Sequence, residues 1–412
     1  AFSVTSADTD YNGLTVGNLN VAIDDNDFSI TLISEIQGAG AASAMTGQEV
    51  TVEGVVTGLI TGSSGVTGYF IQEEDADSDG DAATSEGVFV YAPGAAVAVG
   101  DKLRLTGTVA EFSNLTEITS VSYTQVLATG VALPTATMIT LGMGPDFEAY
   151  EGMRVELVTG SADPLTVITN FNLDRYGEVQ VSEGVQTTPT QILDPNTQQA
   201  EIDALTTANL TNRLTIDDGS TAQNPDTYTL IDSGDGTPLT AGDPITAAGP
   251  TLRLGAEVTS VIGVMDERYG VYRIQSEGPL DTVDSTNEGA RPATAPVVGG
   301  EMTVASFNVL NYFTTLDDGS LTGPNGDLDP RGATTAADLV RQTDKIVAAL
   351  VELDADIIGL QELENNGFGT DSAIAALVDA LNTALGANVY GYVDPGVPFV
   401  GTDANTTGII YK

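Results

Sequence analysis

The feature that most constrains the fold is a long region, residues 29 to 285, of short alternating runs between turns rich in Gly and Asp. Alternation of apolar and polar residues is typical of β-strands with one buried face. Glycines interrupt several runs where a closed sheet must bend. The clearest runs are 50–56, 68–71, 88–91 and 102–109. We therefore predict a small closed barrel, of the OB-like type, over residues 29–140.

An internal echo predicts a second unit of the same kind. Residues 99–111 contain a Val-Gly-Asp turn and then a Gly-Thr-Val-Ala-Glu run, and residues 254–267 repeat this order with a spacing that differs by one. The segment near 187–212 is polar and interrupts the strand pattern. We predict a second OB-like β domain over 141–283, with this segment as an insertion.

The pattern changes beyond residue 284. Residues 284–300 have the composition of a linker. Residues 301–412 then alternate buried strands, at 302–310 and 355–360, with two helices. The first helix is predicted over 335–352, capped by Thr334 or Thr335, with an apolar face of Leu339, Ile346, Val347 and Leu350. The second is predicted over 372–385, capped by Asp371 and ended by Gly386. This last part predicts an α/β domain, and its short length leads us to expect a truncated one.

Charge and composition restrict the possible functions. Asp and Glu number 58 against 13 Lys and Arg, a net charge of −45, and the chain has no Cys, His or Trp. Thiol chemistry, disulfides and a Ser-His-Asp triad are excluded within these residues. Such acidity disfavours a nucleic-acid binder that relies on a basic surface, and it favours an extracellular or cell-surface protein in calcium-containing water. No apolar run is long enough to span a membrane. The chain starts without Met, so we expect a processed protein or a piece of a longer polypeptide.

The sharpest local motif is an acidic loop. Its sequence, Asp-x-Asp-x-Asp-Gly followed after five residues by Glu, has the spacing of a twelve-residue calcium loop. Both flanks read as strands, so this loop would close a hairpin and would not be an EF-hand. A solvated acidic turn is the alternative, and the acidic turns at 24–27 and 217–219 are weaker candidates. The calcium ligands that the spacing predicts are Asp75, Asp77, Asp79, the Asp81 carbonyl and Glu86.

Two polar residues interrupt the strands of the last domain. Asn308 lies in one apolar run and Glu362 follows another, near the strand ends where α/β folds place ligand sites. An amide and a carboxylate there could hold a magnesium ion and a phosphate oxygen. Spacing alone favours polar residues at the strand ends that simply face solvent.

The segments that carry these two residues, Val304–Phe313 and Gly359–Asn365, together with residues 403–412, resemble the opening third of an endonuclease/exonuclease/phosphatase (DNase-I-like) domain. Residues 36–40, 47–56, 175–177 and 212–220 are similar to the region before that domain in ExeM/NucH-type bacterial extracellular nucleases. The end of residues 1–28 resembles the last strand of a Calx-beta-like sandwich repeat. The resemblance thus implies a multidomain, mostly β chain: a sandwich tail at 1–28, two OB-like barrels, the linker, and a truncated α/β sandwich.

This resemblance assigns roles residue by residue. Glu362 matches the family's magnesium ligand (Mn²⁺ can substitute), and Asn308 matches the asparagine that positions metal and phosphate. The family's later Gly-Asp-Phe-Asn and Ser-Asp-His segments and its upstream histidine do not occur in these 412 residues. The implied function is a segment of a secreted, metal-dependent nuclease acting on extracellular DNA or RNA. The segment by itself lacks the catalytic His and Asp motifs.

Two other functions compete with this interpretation. The chain could be a calcium-stiffened, non-enzymatic surface or matrix module that belongs to a longer polypeptide. It could also act on a phosphomonoester or phospholipid, because the superfamily is catalytically diverse. If the barrels guide nucleic acid, the best contact candidates are the basic and aromatic residues Arg175, Tyr176, Arg268, Tyr269 and Arg273.

Overall fold

The structure is a computed structural model of the 412-residue chain, and it contains two compact units, Ala1–Arg291 and Pro292–Lys412. The mostly β prediction is confirmed. Nearly all of the predicted sandwich tail at 1–28 and most of the predicted linker lie outside the described residues. No helix in the described part of the chain combines the length and apolar character needed to cross a bilayer. The described residues are 7–10, 29–143, 147–225, 227–240, 252–282 and 294–412.

The first half of the N-terminal unit is a closed five-stranded barrel with the strand order β1-β2-β3-β5-β4. Its first strand is long: residues 49–55 pair with β4 and residues 55–62 pair with β2, which lets one strand close the barrel. Strands β3 and β5 are parallel, and the other neighbours are antiparallel. The elements are α1 (Ile33–Gln37), β1 (Glu49–Gly62), β2 (Gly65–Gln72), β3 (Gly87–Tyr91), β4 (Lys102–Phe112) and β5 (Leu115–Ala128).

Alternation explains the barrel core. Along β4, Leu103, Leu105, Gly107 and Val109 are buried while the residues between them are only partly covered, as the sequence pattern predicts. Gly107 lies on the same strand, where a Cβ would stand 2.5 Å from the Ile118 side chain and 2.9 Å from the Thr119 carbonyl oxygen. Glycine therefore lets β4 lie against the curved partner strand.

The second half of the unit is an eight-stranded sheet where the sequence predicts a second barrel. Its order is β13-β8-β9-β10-β15-β14-β7-β6, and β11 and β12 form a separate pair. The strands are β6 (Thr137–Ile139), β7 (Arg154–Leu157), β8 (Leu165–Thr169), β9 (Val179–Glu183), β10 (Leu214–Asp217), β11 (Thr227–Asp232), β12 (Pro238–Thr240), β13 (Glu257–Val258), β14 (Val261–Arg268) and β15 (Val271–Ser276). The helices are α2 (Leu173–Tyr176) and α3 (Gln199–Thr211), and α3 lies within the predicted polar insertion.

The central part of this sheet repeats the strand order of the barrel. The segment β8-β9-β10-β15-β14-β7 matches β1-β2-β3-β5-β4-β1, with β10 and β15 parallel as β3 and β5 are. The difference lies in the first strand, which is continuous in the barrel and is divided here into β7 and β8 by residues 158–164. Because this strand is interrupted, the second region is an open sheet with two edge strands, whereas the first region closes into a barrel.

Barrel and sheet meet through close backbone contact. A Cβ on Gly87 of β3 would lie 2.1 Å from the carbonyl oxygen of Gly152, and a Cβ on Gly152 would lie 2.6 Å from the Gly87 carbonyl carbon. Gly152 also donates its N–H to the Met265 carbonyl of β14 at 2.7 Å. The turn at Gly152 is thus packed between the barrel and the sheet.

The C-terminal unit contains a four-stranded sheet of order β16-β17-β19-β18, in which β16 and β17 are parallel. Helix α4 buries Ile346, Val347 and Leu350, the face that its sequence predicts. The elements are β16 (Val304–Tyr312), α4 (Ala336–Leu353), β17 (Ile357–Glu364), α5 (Ala373–Leu385), β18 (Gly391–Tyr392) and β19 (Asn405–Tyr411).

The helix ends test three predicted caps. Thr335 caps α4, since its Oγ1 accepts a hydrogen bond from the Asp338 N–H at 3.1 Å. Gly386 ends α5 in the left-handed conformation, with φ of 70°. The predicted cap Asp371 is wrong by one residue, because the Ser372 Oγ accepts the hydrogen bond from the Ala375 N–H.

Candidate functional site

The structure brings Asn308 and Glu362 together at the carboxyl ends of two neighbouring parallel strands. Asn308 of β16 is opposite Gln361 of β17, so Glu362 is the next residue along. The Asn308 Nδ2 donates to the Glu362 Oε1 at 2.8 Å. Asn308 is exposed and Glu362 is partly exposed, so both side chains are open to a ligand.

Backbone strain marks this end of the sheet. Leu310, Asn311 and Glu362 have φ of 53°, 49° and 61°, a region that costs a non-glycine residue about 1 kcal/mol or more. The strand registers shift at the same place, between Asn308 and Tyr312 on one strand and between Leu360 and Leu363 on the other. Bulges of this kind re-aim side chains beside functional sites. Here they put Glu362 within reach of the Asn311 N–H, which donates to Glu362 Oε2 at 3.1 Å.

A second carboxylate, Glu364, supports the loop behind the pair. It is 2% exposed, and its Oε2 accepts hydrogen bonds from the backbone N–H of Thr314 at 2.8 Å and of Thr315 at 3.0 Å. The Asn366 amide donates to the same oxygen at 2.9 Å. Glu364 therefore fixes the chain that leaves β16. The sequence analysis missed this role, although its position two residues after Glu362 in a buried run was a usable signal.

The donor set fits a hard divalent cation. Glu362 offers carboxylate oxygens and Asn308 an amide oxygen, which already accepts the Leu310 N–H at 2.7 Å. Magnesium is commonly bound by one or two such groups, with waters completing its octahedron. The chain has no histidine to act as a general base beside this pair.

The acidic loop between β2 and β3 has its carboxylates turned to different partners. Asp75 accepts hydrogen bonds from Thr135, from the N–H at 2.9 Å and from the hydroxyl at 2.6 Å. Asp79 accepts the Asp81 N–H at 2.7 Å, and Asp77 and Asp81 are exposed. Within the described residues, the loop carboxylates do not form a group of three close enough to share one ion.

Two buried glutamates lie beneath this loop. Glu86 is 6% exposed; its Oε1 accepts hydrogen bonds from Ser78 Oγ at 2.7 Å and Asp79 N–H at 3.0 Å. Glu73 is 5% exposed, and its Oε1 accepts the Ile33 N–H at 2.7 Å. The Oε2 atoms of both residues are buried without a hydrogen-bond partner.

The environment of Glu73 is electrostatically unfavourable for a carboxylate. Burial, and then its carboxyl contact with Glu86, raise the pKa of Glu73 to about 8. A buried carboxylate pair is stable only with a shared proton or a bound cation. Glu73 is therefore the calcium-ligand candidate that the loop spacing missed, because it precedes the first loop aspartate.

The predicted nucleic-acid contacts divide into two groups. Arg268 and Tyr269 line a cavity of about 320 Å³ together with Tyr91 and Phe112 of the barrel. Arg273 instead pairs with Glu178 at 2.5 Å and Asp217 at 2.7 Å, which makes its role structural. Arg175 and Tyr176 belong to the short helix α2, where the guanidinium lies 5.3 Å from the ring centre.

Comparisons with known proteins do not assign this chain to a family. No family model matches it, and no curated protein matches it. Among solved structures, it is similar to a protein from Leishmania major Friedlin provisionally described as an aspartyl-tRNA synthetase, over 96% of this chain and 92% of that one. The sequence identity is 8% and the TM-score is 0.20, too low to support a conclusion about fold or function.

Proposed function

We propose that this chain is part of a secreted or cell-surface, metal-dependent nuclease. In this proposal Asn308 and Glu362 form the part of the phosphodiesterase active site that lies within these residues. The observation behind the proposal is the Asn308–Glu362 hydrogen bond of 2.8 Å at a strained, open end of parallel strands. Residues held in such conformations cluster at active sites because the surrounding structure must maintain them.

In this proposal Glu362 holds a magnesium or manganese ion and Asn308 orients a phosphate oxygen. The bound ion would supply stabilisation of the negative charge that develops on phosphate during hydrolysis. The Asn311 N–H holds the Glu362 carboxylate in place. Glu364 fixes the chain that leaves β16, the strand of Asn308, by accepting the Thr314 N–H. In this proposal the pair binds metal and phosphate, and no imidazole of these 412 residues serves as general base, because the chain has no His.

The nuclease proposal extends to the domain types. Both halves of the N-terminal unit have the strand order and the parallel pair described above, which supports two OB-like units, the second with a divided first strand. OB-like barrels bind oligonucleotides on the face of their second and third strands and neighbouring loops. Tyr91 and Phe112, at the rim of the cavity, offer exposed rings for base stacking. Extracellular DNA or RNA is the proposed substrate.

The test uses supercoiled plasmid DNA and magnesium. We expect nicking by the native polypeptide as isolated from its source, and a loss of at least about a hundredfold in Glu362→Ala. Glu301→Ala, which removes an exposed glutamate of the same unit, is the matched control and should nick at the wild-type rate. Nicking that survives Glu362→Ala would reject this site. Protein that releases phosphate from monoesters but leaves plasmid intact would favour the other substrate class.

The buried Glu73–Glu86 pair supports a second candidate, a calcium-stiffened surface module without enzymatic activity. Both carboxylates have an unpartnered buried oxygen beside a loop rich in aspartate. Calcium at Glu73, Glu86 and the Asp75–Asp81 loop is compatible with either function. Absence of nicking by the native polypeptide, combined with calcium-dependent stability, would favour the module.

A further inference from the structure

We propose that Glu148, Glu151 and Glu267 bind a divalent cation of the calcium type at the junction between the barrel and the eight-stranded sheet. One carboxylate oxygen from each residue lies within 4.8 Å of those of the other two. Calcium binds oxygens at about 2.4 Å, so two ligands on opposite sides of the ion are about 4.8 Å apart. This spacing leaves room for one ion among the three groups.

The three side chains come from separate elements that the fold holds in register. Glu148 begins a single 3₁₀ turn, Glu148–Tyr150, and Glu151 follows it directly. Glu267 lies near the end of β14, whose Met265 forms two backbone hydrogen bonds with the residues just after the turn: its carbonyl accepts the Gly152 N–H at 2.7 Å, and its N–H donates to the Met153 carbonyl oxygen at 2.9 Å. These bonds fix Glu151 beside β14.

Glu151 provides an observation independent of the clustering. Its relative exposure is 0%, and its Oε1 accepts the Thr116 N–H of β5 at 3.0 Å, but its Oε2 is buried without a hydrogen-bond partner. A buried charged oxygen without a partner is costly, and a cation is the partner that three carboxylates would share. Burial, and then the charges of Glu148 and Glu267, raise the pKa of Glu151 to about 9.

The neighbouring arginine has other partners. Arg268 follows Glu267 in the chain, but its Nε donates to Asp266 at 2.6 Å, and its guanidinium lies 4.8 Å from the centre of the Phe89 ring. The Asn114 amide does reach Glu267 Oε1, at 3.2 Å, and it contributes a dipole without a charge. A bound cation would add a positive charge, which the Asn114 amide does not carry.

An ion here would lie where the two halves of the N-terminal unit meet. Thr116 and Asn114 belong to the β4–β5 hairpin of the barrel, whereas Glu267 belongs to the sheet. Ser85, next to Glu86 of the acidic loop, donates its hydroxyl to the Glu151 carbonyl oxygen. The proposed ion site is thus connected to the acidic loop through a single residue, Ser85. It is a separate site, at the interface between the barrel and the sheet.

Terbium luminescence tests the proposal, since Tb³⁺ replaces calcium at oxygen sites and a nearby tyrosine sensitises its emission. The Tyr272 hydroxyl donates to Glu148 Oε2 at 2.9 Å, which places this phenol against the proposed site. All measurements use the full chain carrying Glu86→Gln, so that the acidic loop contributes less. We expect tyrosine-sensitised terbium emission, and added calcium should reduce it by displacing the terbium ion.

Three further variants in this background define the site. Glu151→Gln, which preserves shape and the oxygen facing Thr116, should weaken terbium and calcium binding by about tenfold or more, and so should Glu267→Gln. Tyr272→Phe should dim the emission several-fold while the calcium affinity, measured by calorimetry, changes far less. Glu156→Gln on β7 is the matched control and should leave both readouts unchanged.

Two results would overturn the proposal. One is terbium and calcium binding unaltered by both Glu151→Gln and Glu267→Gln. The other is a background protein without tyrosine-sensitised emission, combined with a Glu151→Gln variant that melts at a higher temperature and is indifferent to calcium. The second result would show that Glu151 is a buried protonated acid. If Glu151→Gln does not fold, Glu267→Gln and Tyr272→Phe decide the question.

Discussion

The Asn308–Glu362 pair and the Glu73–Glu86 pair use carboxylates in opposite ways. Glu362 is partly exposed, and both of its oxygens accept hydrogen bonds, from Asn308 and from Asn311. Glu73 and Glu86 are buried, and each has an oxygen without a partner. The first arrangement orients a charged group at the cost of backbone strain, and the second buries charge that only a proton or cation can neutralise. Metal at the first would serve chemistry, and metal at the second would serve stability.

For the calcium-bound form that we propose, removal of calcium should produce the largest effect, because the buried pair would then lose a neutralising ion. We expect chelation at neutral pH to destabilise the chain by about 3 kcal/mol relative to calcium at a hundred times its dissociation constant. Differential scanning calorimetry with and without chelator measures this difference. In Glu73→Gln the calcium-dependent part should shrink by at least half, whereas Glu35→Gln on α1, an exposed neighbour, should behave as the wild type. Equal calcium dependence in all three proteins would contradict the comparison.

A smaller effect is expected at Asp218, a half-buried carboxylate beside a buried ion pair. Burial raises the pKa of Asp218 to about 7, although its carboxylate accepts the Ser220 N–H at 2.8 Å. The folded pKa is above the unfolded value, so its stabilising contribution is complete below about pH 4 and is lost as the pH rises through 7. Asp218→Asn should therefore be more stable than the wild type at pH 8 by about 1 kcal/mol, since solvent reaches part of the side chain.

The measurement for Asp218→Asn is chemical denaturation at pH 4 and pH 8, with the difference between the variant and the wild type as the readout. The two proteins should be nearly equal at the acidic pH. Asp217, whose pKa burial raises to about 6 despite the Arg273 contact, is present in both proteins. A gain of the same size at both pH values would mean that the charge of Asp218 is not the cause.

The smallest change in stability should follow Glu362→Ala. The mutation removes two hydrogen bonds at an open edge but also shortens a side chain in an unfavourable backbone conformation, so we expect a change within about 0.5 kcal/mol. Urea denaturation measures it, and Glu364→Ala is the informative contrast. Glu364 is buried and accepts four hydrogen bonds around Thr314 and Asn366, so its loss should cost about 2 kcal/mol or more. Equal costs for the two variants would remove the distinction between an orienting and a supporting carboxylate.

Local pattern predicted much of the architecture. The alternation in 50–56 and 102–109 gave strands β1 and β4, and the apolar face of α4 was visible from its spacing. The cap of α5 was displaced by one residue because Asp371 and Ser372 are both good caps, and only the backbone geometry selects between them. The divided strand β7–β8 was missed because a turn inside an alternating region does not reveal which strands it separates.

The sites were less accessible to sequence reasoning. Spacing predicted that Asp75 joins Glu86 around an ion, but Thr135, sixty residues away, takes the Asp75 carboxylate. Glu73 and Glu151 become notable only through burial, which depends on packing between distant segments. The Asn308–Glu362 pair was predicted because parallel strands place their carboxyl ends at one edge. The positive φ of Glu362 was not predictable, since no Gly or Asn at that position signals it.

The contact between Gly87 and Gly152 has an evolutionary consequence. Any side chain at either position would drive a carbon into the backbone of the other segment, so neither position can vary alone without moving the barrel away from the sheet. A recombination event that exchanged the barrel for a homologous one would have to inherit a glycine at the same register of its third strand. Neither half can therefore be exchanged independently of the other, and we expect the barrel and the sheet to be inherited together as one unit.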